Sequence, residues 1–127
     1  MTDRKSSFEN LECWQAGRDL KCFVREQIRP RLPAAEKFSL SDQLTRAVRS
    51  ITANIAEGYG RYHYLDEAKF LSNSRGSIHE VLDHLIEARD EDYISEELLM
   101  VGREKVDQVL RLLNGYRAYI IRRAHES

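Results

Sequence analysis

Hydrophobic residues recur along nearly the whole chain at intervals of three and four, the spacing that places side chains on one face of an α-helix. Leu11, Trp14, Leu20, Phe23, Val24 and Ile28 follow this period and predict a first helix over 11–29, ended by Pro30 and Pro33. Leu44, Val48, Ile51 and Ile55 step by four, three and four and predict a second helix over 42–59. Ser41 is placed to cap it, Asp42 suits the positive end of its dipole, and Gly58 and Gly60 are expected to close it in the left-handed conformation. A third helix is expected over 65–89, with Phe70, Leu71, Ile78, Leu82, Leu85 and Ile86 facing inward and Gly76 interrupting it. The fourth is expected over 96–123 behind an N-capping Ser95, with Leu98, Leu99, Val106, Val109, Leu110, Leu113, Tyr116 and Ile120 on its apolar side.

Only 31–40 reads as a real loop, and Phe38 and Leu40 within it are expected to fold back over the bundle end. Short links make antiparallel neighbours, so the pattern predicts an all-α, antiparallel up-and-down four-helix bundle occupying 1–127 as a single domain. Composition agrees, since 32% charged residues with 2 Pro and 6 Gly favour helix over sheet or disorder.

The formal net charge of −1 argues against a protein held to nucleic acid by bulk cationic attraction. The distribution is uneven: residues 1–63 carry 11 Lys or Arg against 8 Asp or Glu, and residues 64–127 carry 9 against 13. No apolar run of about 18 residues is present and the N-terminus lacks the apolar core of a signal peptide, so a cytoplasmic location without a membrane partner is expected. Cys13 and Cys22 fall on one predicted helix, roughly 13 Å apart along its axis, too far to bridge each other, which points to reduced thiols.

Beside its apolar seam the second helix carries another stripe, Gln43, Arg46, Ser50, Asn54, Glu57 and Arg61, centred roughly 120° away at about 100° per residue. Ser50 and Asn54 are poor helix formers that lose stability unless they hydrogen-bond something. The stripe is therefore either an ordinary exposed face or a polar contact with another subunit or ligand. Gly76, costly inside a helix, calls either for a close approach of another backbone to the third helix or for some other offset of the loss. The segment 58–64 combines glycines, Arg61 and three tyrosines, but its glycines close a helix, unlike a phosphate loop. Those tyrosines suit either packing across the bundle end or stacking on bases. His79, Glu80, Asp83 and His84 form two carboxylate and imidazole pairs at helical spacing, yet the repeated Glu-x-x-His motif of a ferritin-like metal site is missing. Ser72, Ser74 and Ser77 have no activating neighbours. No catalytic residue, metal or cofactor is expected, and the chain reads as a binding protein rather than an enzyme.

Three runs carry a family resemblance: Phe8-x-x-Leu11-x-x-Trp14-Gln15; then Leu40-x-x-Gln43-x-x-Arg46-Ala47-x-x-Ser50-Ile51-x-x-Asn54-Ile55-Ala56-Glu57-Gly58-x-Gly60-Arg61; then Phe70-Leu71 with Gly76-Ser77-x-x-Glu80. In these the chain resembles the four-helix bundle proteins encoded in intervening sequences of bacterial 23S ribosomal RNA genes, relatives of the accessory variability proteins of diversity-generating retroelements. Ser74 departs from the alanine often found at its place. The resemblance implies a homo-oligomer, a ring-like pentamer of bundles packed side by side. On that reading Gln43, Arg46, Ser50, Asn54, Glu57, Arg61, Gly76 and Ser77 form the contact with another copy or a partner. The alternative is a protein linked to RNA, or to a nucleic-acid-handling protein, through Arg46, Arg49, Tyr59, Arg61 and Tyr62.

Overall fold

A computed structural model describes residues 7–126 of the chain. After a 3-10 turn at Phe8–Asn10, helix α1 spans Glu12–Phe23 and continues through a π turn, Val24–Ile28, into a 3-10 turn, Arg29–Arg31. A further turn at Ala34–Glu36 leads to α2 (Leu40–Tyr59), α3 (Tyr64–Asp90) and α4 (Glu96–Glu126). No strand occurs among the described residues. Pro30 accounts for the broken end of the first helix: it offers no N–H to the ladder, and the Arg29 N–H reaches back five residues to Val24 O.

Each helix packs against its sequence neighbours, and α4 closes the square against α1. The pairing of α2 with α3 is the most extensive. Its register is antiparallel: Gly58 lies against Glu67 and Phe70 at one end, and Ser74 donates to Ile51 O at 2.8 Å near the middle. The predicted antiparallel four-helix bundle is the fold observed. The seam of α2 is buried as its spacing requires, and Leu20, Leu71, Ile78, Val81, Leu85, Leu99, Val106, Val109 and Leu113 complete the core.

Several local expectations are corrected. Helix α2 begins at Leu40, so Ser41 lies inside it; the Glu36 carboxylate caps the start, accepting from the Leu40 N–H at 3.2 Å and from Ser39 Oγ at 2.6 Å. Gly60 ends α2 at φ −79°, and among the described residues only Asp92, at φ 64°, is left-handed. Gly58 is needed for space instead, because a Cβ there would stand 3.0 Å from Phe70 Cβ and 3.2 Å from Glu67 O. Leu40 is buried under the bundle end, but Phe38 is 86% exposed. On α3, Phe70, Leu82 and Ile86 are half-buried and Val81 takes the core position. Ser95 caps α4 as its sequence suggests, accepting from Leu98 N–H at 3.1 Å. No helix among the described residues is long and apolar enough to cross a membrane.

Candidate interaction surface

The polar stripe of α2 runs along the outer side of the α2–α3 pair. Its centre is made of small groups that bind one another. Asn54 Nδ2 donates to both the carbonyl and Oγ of Ser50, each at 2.9 Å, and Ser77 Oγ of α3 donates to Ser50 Oγ at 2.8 Å. Ser77 also lies 3.2 Å from Asn73 O. Above and below this centre the stripe is flanked by ion pairs one turn long, Asp42 with Arg46 at 3.0 Å and Glu57 with Arg61 at 2.9 Å. The Arg61 guanidinium also covers the Phe70 ring at 4.5 Å. Gln43 is exposed. The low helix propensity of Ser50 and Asn54 is thus offset in part within the protomer, while Asn54 Oδ1 accepts no hydrogen bond from the described residues.

Next to Ser77 the backbone is bare. A Cβ built on Gly76 would meet nothing within 4 Å, and the residue is exposed in the middle of α3. Gly17, Gly58 and Gly102 differ: each sits at a helix crossing where a Cβ would press on Ile51, Phe70 or Leu85. Gly115 of α4 is also exposed, with nothing within 4 Å of a Cβ there. It borders a groove of about 350 Å³ between α1 and α4, lined by Leu11, Cys13, Arg111, Leu112 and Tyr116.

The five positions read as nucleic-acid contacts do not form one surface. Arg46 near the start of α2 and Arg61 just past its end are held by the α2 carboxylates of Asp42 and Glu57. Arg49 projects on the α1 side, Tyr59 is half-buried, and Tyr62 stands 93% exposed beyond the helix end, edge-on to His63. Tyr64 is half-buried beneath Arg123, so the tyrosines of 58–64 pack only in part. His84 meets Glu80 at 3.2 Å, and no group of three His, Cys, Asp or Glu suited to a metal occurs among the described residues.

A model of the family described as 23S rRNA-intervening sequence protein matches residues 9–115. The chain belongs to that family. A search of curated proteins found no match. The matched region takes in all of α1, α2 and α3 and most of α4, so the stripe, Gly76 and Ser77 all fall inside the family's own span.

One polar cluster escaped the sequence reading. Glu67 is 5% exposed at the start of α3, and Tyr116 of α4 donates to its Oε2 at 2.8 Å. Burial lifts the Glu67 carboxyl above its ordinary value, with the tyrosine hydrogen bond opposing, and pushes the Tyr116 phenol up as well. Nearby Cys13 is buried, and desolvation raises its thiol to about 11. The signal was present in the spacing: stepping back four residues from Leu71 lands on Glu67, and stepping forward three lands on Ser74, both on the buried seam.

Proposed function

We propose that the chain is a non-catalytic, self-assembling bundle that works as a homo-oligomer, with the α2–α3 stripe packed against a second copy. The observation that carries this is Gly76. A glycine in mid-helix costs about 1 kcal/mol relative to alanine, and no group of its own protomer needs the space. A neighbouring backbone laid across Gly76, with Ser50, Asn54 and Ser77 beside it, would use both the bare backbone and the free Asn54 Oδ1. A ring needs two different patches per copy. The open Gly115 and its groove offer the second. Five copies is the number that the family resemblance implies, and partners beyond the ring would then meet an assembled surface.

Gly76→Arg tests the proposal cleanly, because arginine is a better helix former than glycine, the position is exposed, and a Cβ there meets no atom of its own protomer within 4 Å. The variant should keep its helicity and lose assembly in sedimentation velocity. Assembly equal to that of the unaltered chain would refute the proposed contact.

A further inference from the structure

Four cationic side chains line a narrow groove of about 70 Å³ between the first two helices, and no acidic side chain does. Lys21 comes from α1, Arg25 from its π continuation, Arg29 from the 3-10 turn that follows and Arg49 from α2, and Thr45 stands among them. Lys21 Nζ is held 3.1 Å from Thr52 Oγ1. Arg25 meets Glu26 at 3.2 Å in an exposed pair of small net worth. Arg29 and Arg49 form no ion pair with any described residue. Residues 21–49 hold seven Lys or Arg and three Asp or Glu in a chain whose net charge is −1. The near-neutral total hides a local positive field.

The cations of the first helix recur every four residues, about 6 Å apart along an axis, which suits a ligand with repeating negative charge better than a single ion. Three of the four are arginines, whose planar donors pair with phosphate oxygens in two-point fashion. Phe38, 86% exposed, belongs to the segment joining the same two helices. Phe38 does not line the groove, and its ring carries Lys37 Nζ at 5.4 Å. An exposed ring on the connection between two helices that share a basic track is a combination suited to single-stranded nucleic acid, phosphates on the cations and a base on the ring. The π turn that supplies Arg25 is a local departure of the kind often found at functional sites.

We infer that the α1–α2 groove binds the phosphodiester backbone of a single-stranded nucleic acid, with Arg29 and Arg49 as the principal phosphate contacts and Phe38 as a stacking platform. The surface lies away from the α2–α3 stripe and does not depend on self-assembly. The test is fluorescence anisotropy of a labelled single-stranded RNA of about 20 nucleotides with the full chain, across roughly 50 to 300 mM salt. Affinity should fall steeply with salt. Arg29→Gln combined with Arg49→Gln should weaken binding at least tenfold at low salt and reduce the salt slope by about 1.4, at about 0.7 per contact. Arg75→Gln combined with Arg103→Gln, the same charge change at exposed sites on α3 and α4, should leave the slope within half a unit. Phe38→Ala should weaken RNA several-fold and leave binding of inorganic polyphosphate unchanged. Arg49→Glu alone serves the same purpose if the double groove variant loses helicity. An RNA slope unaltered by the groove substitutions would overturn the inference, as would failure to bind RNA at the lowest salt. Equal sensitivity of RNA and polyphosphate to every variant, Phe38→Ala included, or capture by phosphatidylserine vesicles without RNA binding, would overturn the assignment to nucleic acid.

Discussion

Alanine should act in opposite directions at two helical glycines of this bundle, Gly76 and Gly58. Alanine exceeds glycine by about 0.8–1.0 kcal/mol in a helix interior. At Gly76 the new methyl meets nothing within 4 Å, so an isolated protomer gains nearly the whole amount. With an unfolding entropy of about 2.1 cal/mol/K per residue, a chain of this length changes its midpoint by roughly 4 °C for each kcal/mol, and Gly76→Ala should raise Tm by about 3–4 °C. At Gly58 the methyl would stand 3.0 Å from Phe70 Cβ and 3.2 Å from the Glu67 carbonyl oxygen. Neither atom can swing aside as a side-chain tip can, so α2 and α3 must part slightly. Overpacking of this kind costs about 1–3 kcal/mol, which exceeds the propensity gain and leaves a net loss of about 1 kcal/mol and a fall of roughly 4 °C. Trp14, the sole tryptophan, lets unfolding be followed by fluorescence at protein concentrations low enough to favour single protomers. A Gly58→Ala protein as stable as the unaltered chain would refute the tight α2–α3 crossing. A Gly76→Ala protomer less stable than the unaltered chain would show that its own fold requires that glycine.

Three further outcomes follow from the polar cluster and the thiols. Tyr116→Phe removes the hydroxyl that donates to buried Glu67 and should cost about 1–3 kcal/mol in urea unfolding near pH 7; a loss within error would contradict the buried pairing. Because burial raises the Glu67 carboxyl, the folded chain holds its proton more tightly than the unfolded chain, and that contribution is lost as pH rises from the unfolded value of about 4.3 through the folded one. Relative to Glu67→Gln, the unaltered chain should therefore lose stability as pH rises from about 4 through the folded carboxyl's own value and then level off, and a constant difference would count against the shift. Cys13 is buried with its thiol raised to about 11 while Cys22 is half-buried, so a thiol reagent at pH 8 should label Cys22 first and Cys13 only on unfolding, as Cys22→Ser would verify by abolishing the fast phase.

The fold was legible because the α2 seam of Leu44, Val48, Ile51 and Ile55 keeps its period without interruption, and burial follows period. What escaped was decided by tertiary neighbours. Nothing local marks Phe38 as exposed and Leu40 as buried, since two apolar residues in a loop are separated only by where the bundle end lies. Glu67 and Ser74 are polar and stand outside the apolar set expected for the third helix, yet each has a partner across a helix crossing, Tyr116 and Ile51 O. Gly58 carried a correct signal with the wrong cause: the residue type pointed to a left-handed end, whereas the α2–α3 distance required it. The stripe was visible as a set of positions, but its inner hydrogen bonds were not, because Ser77 reaches Ser50 from another helix. The basic groove was invisible to a charge count, since Arg49 joins Lys21, Arg25 and Arg29 only when α2 packs on α1.

Self-association through the α2–α3 face is tested most directly by the mass of the unaltered chain in solution, measured by sedimentation equilibrium at micromolar concentration. The stripe and Gly76 predict an assembled species, and the family resemblance sets its expected mass at five times the 14.8 kDa protomer. A single 14.8 kDa species across the concentration range would contradict it.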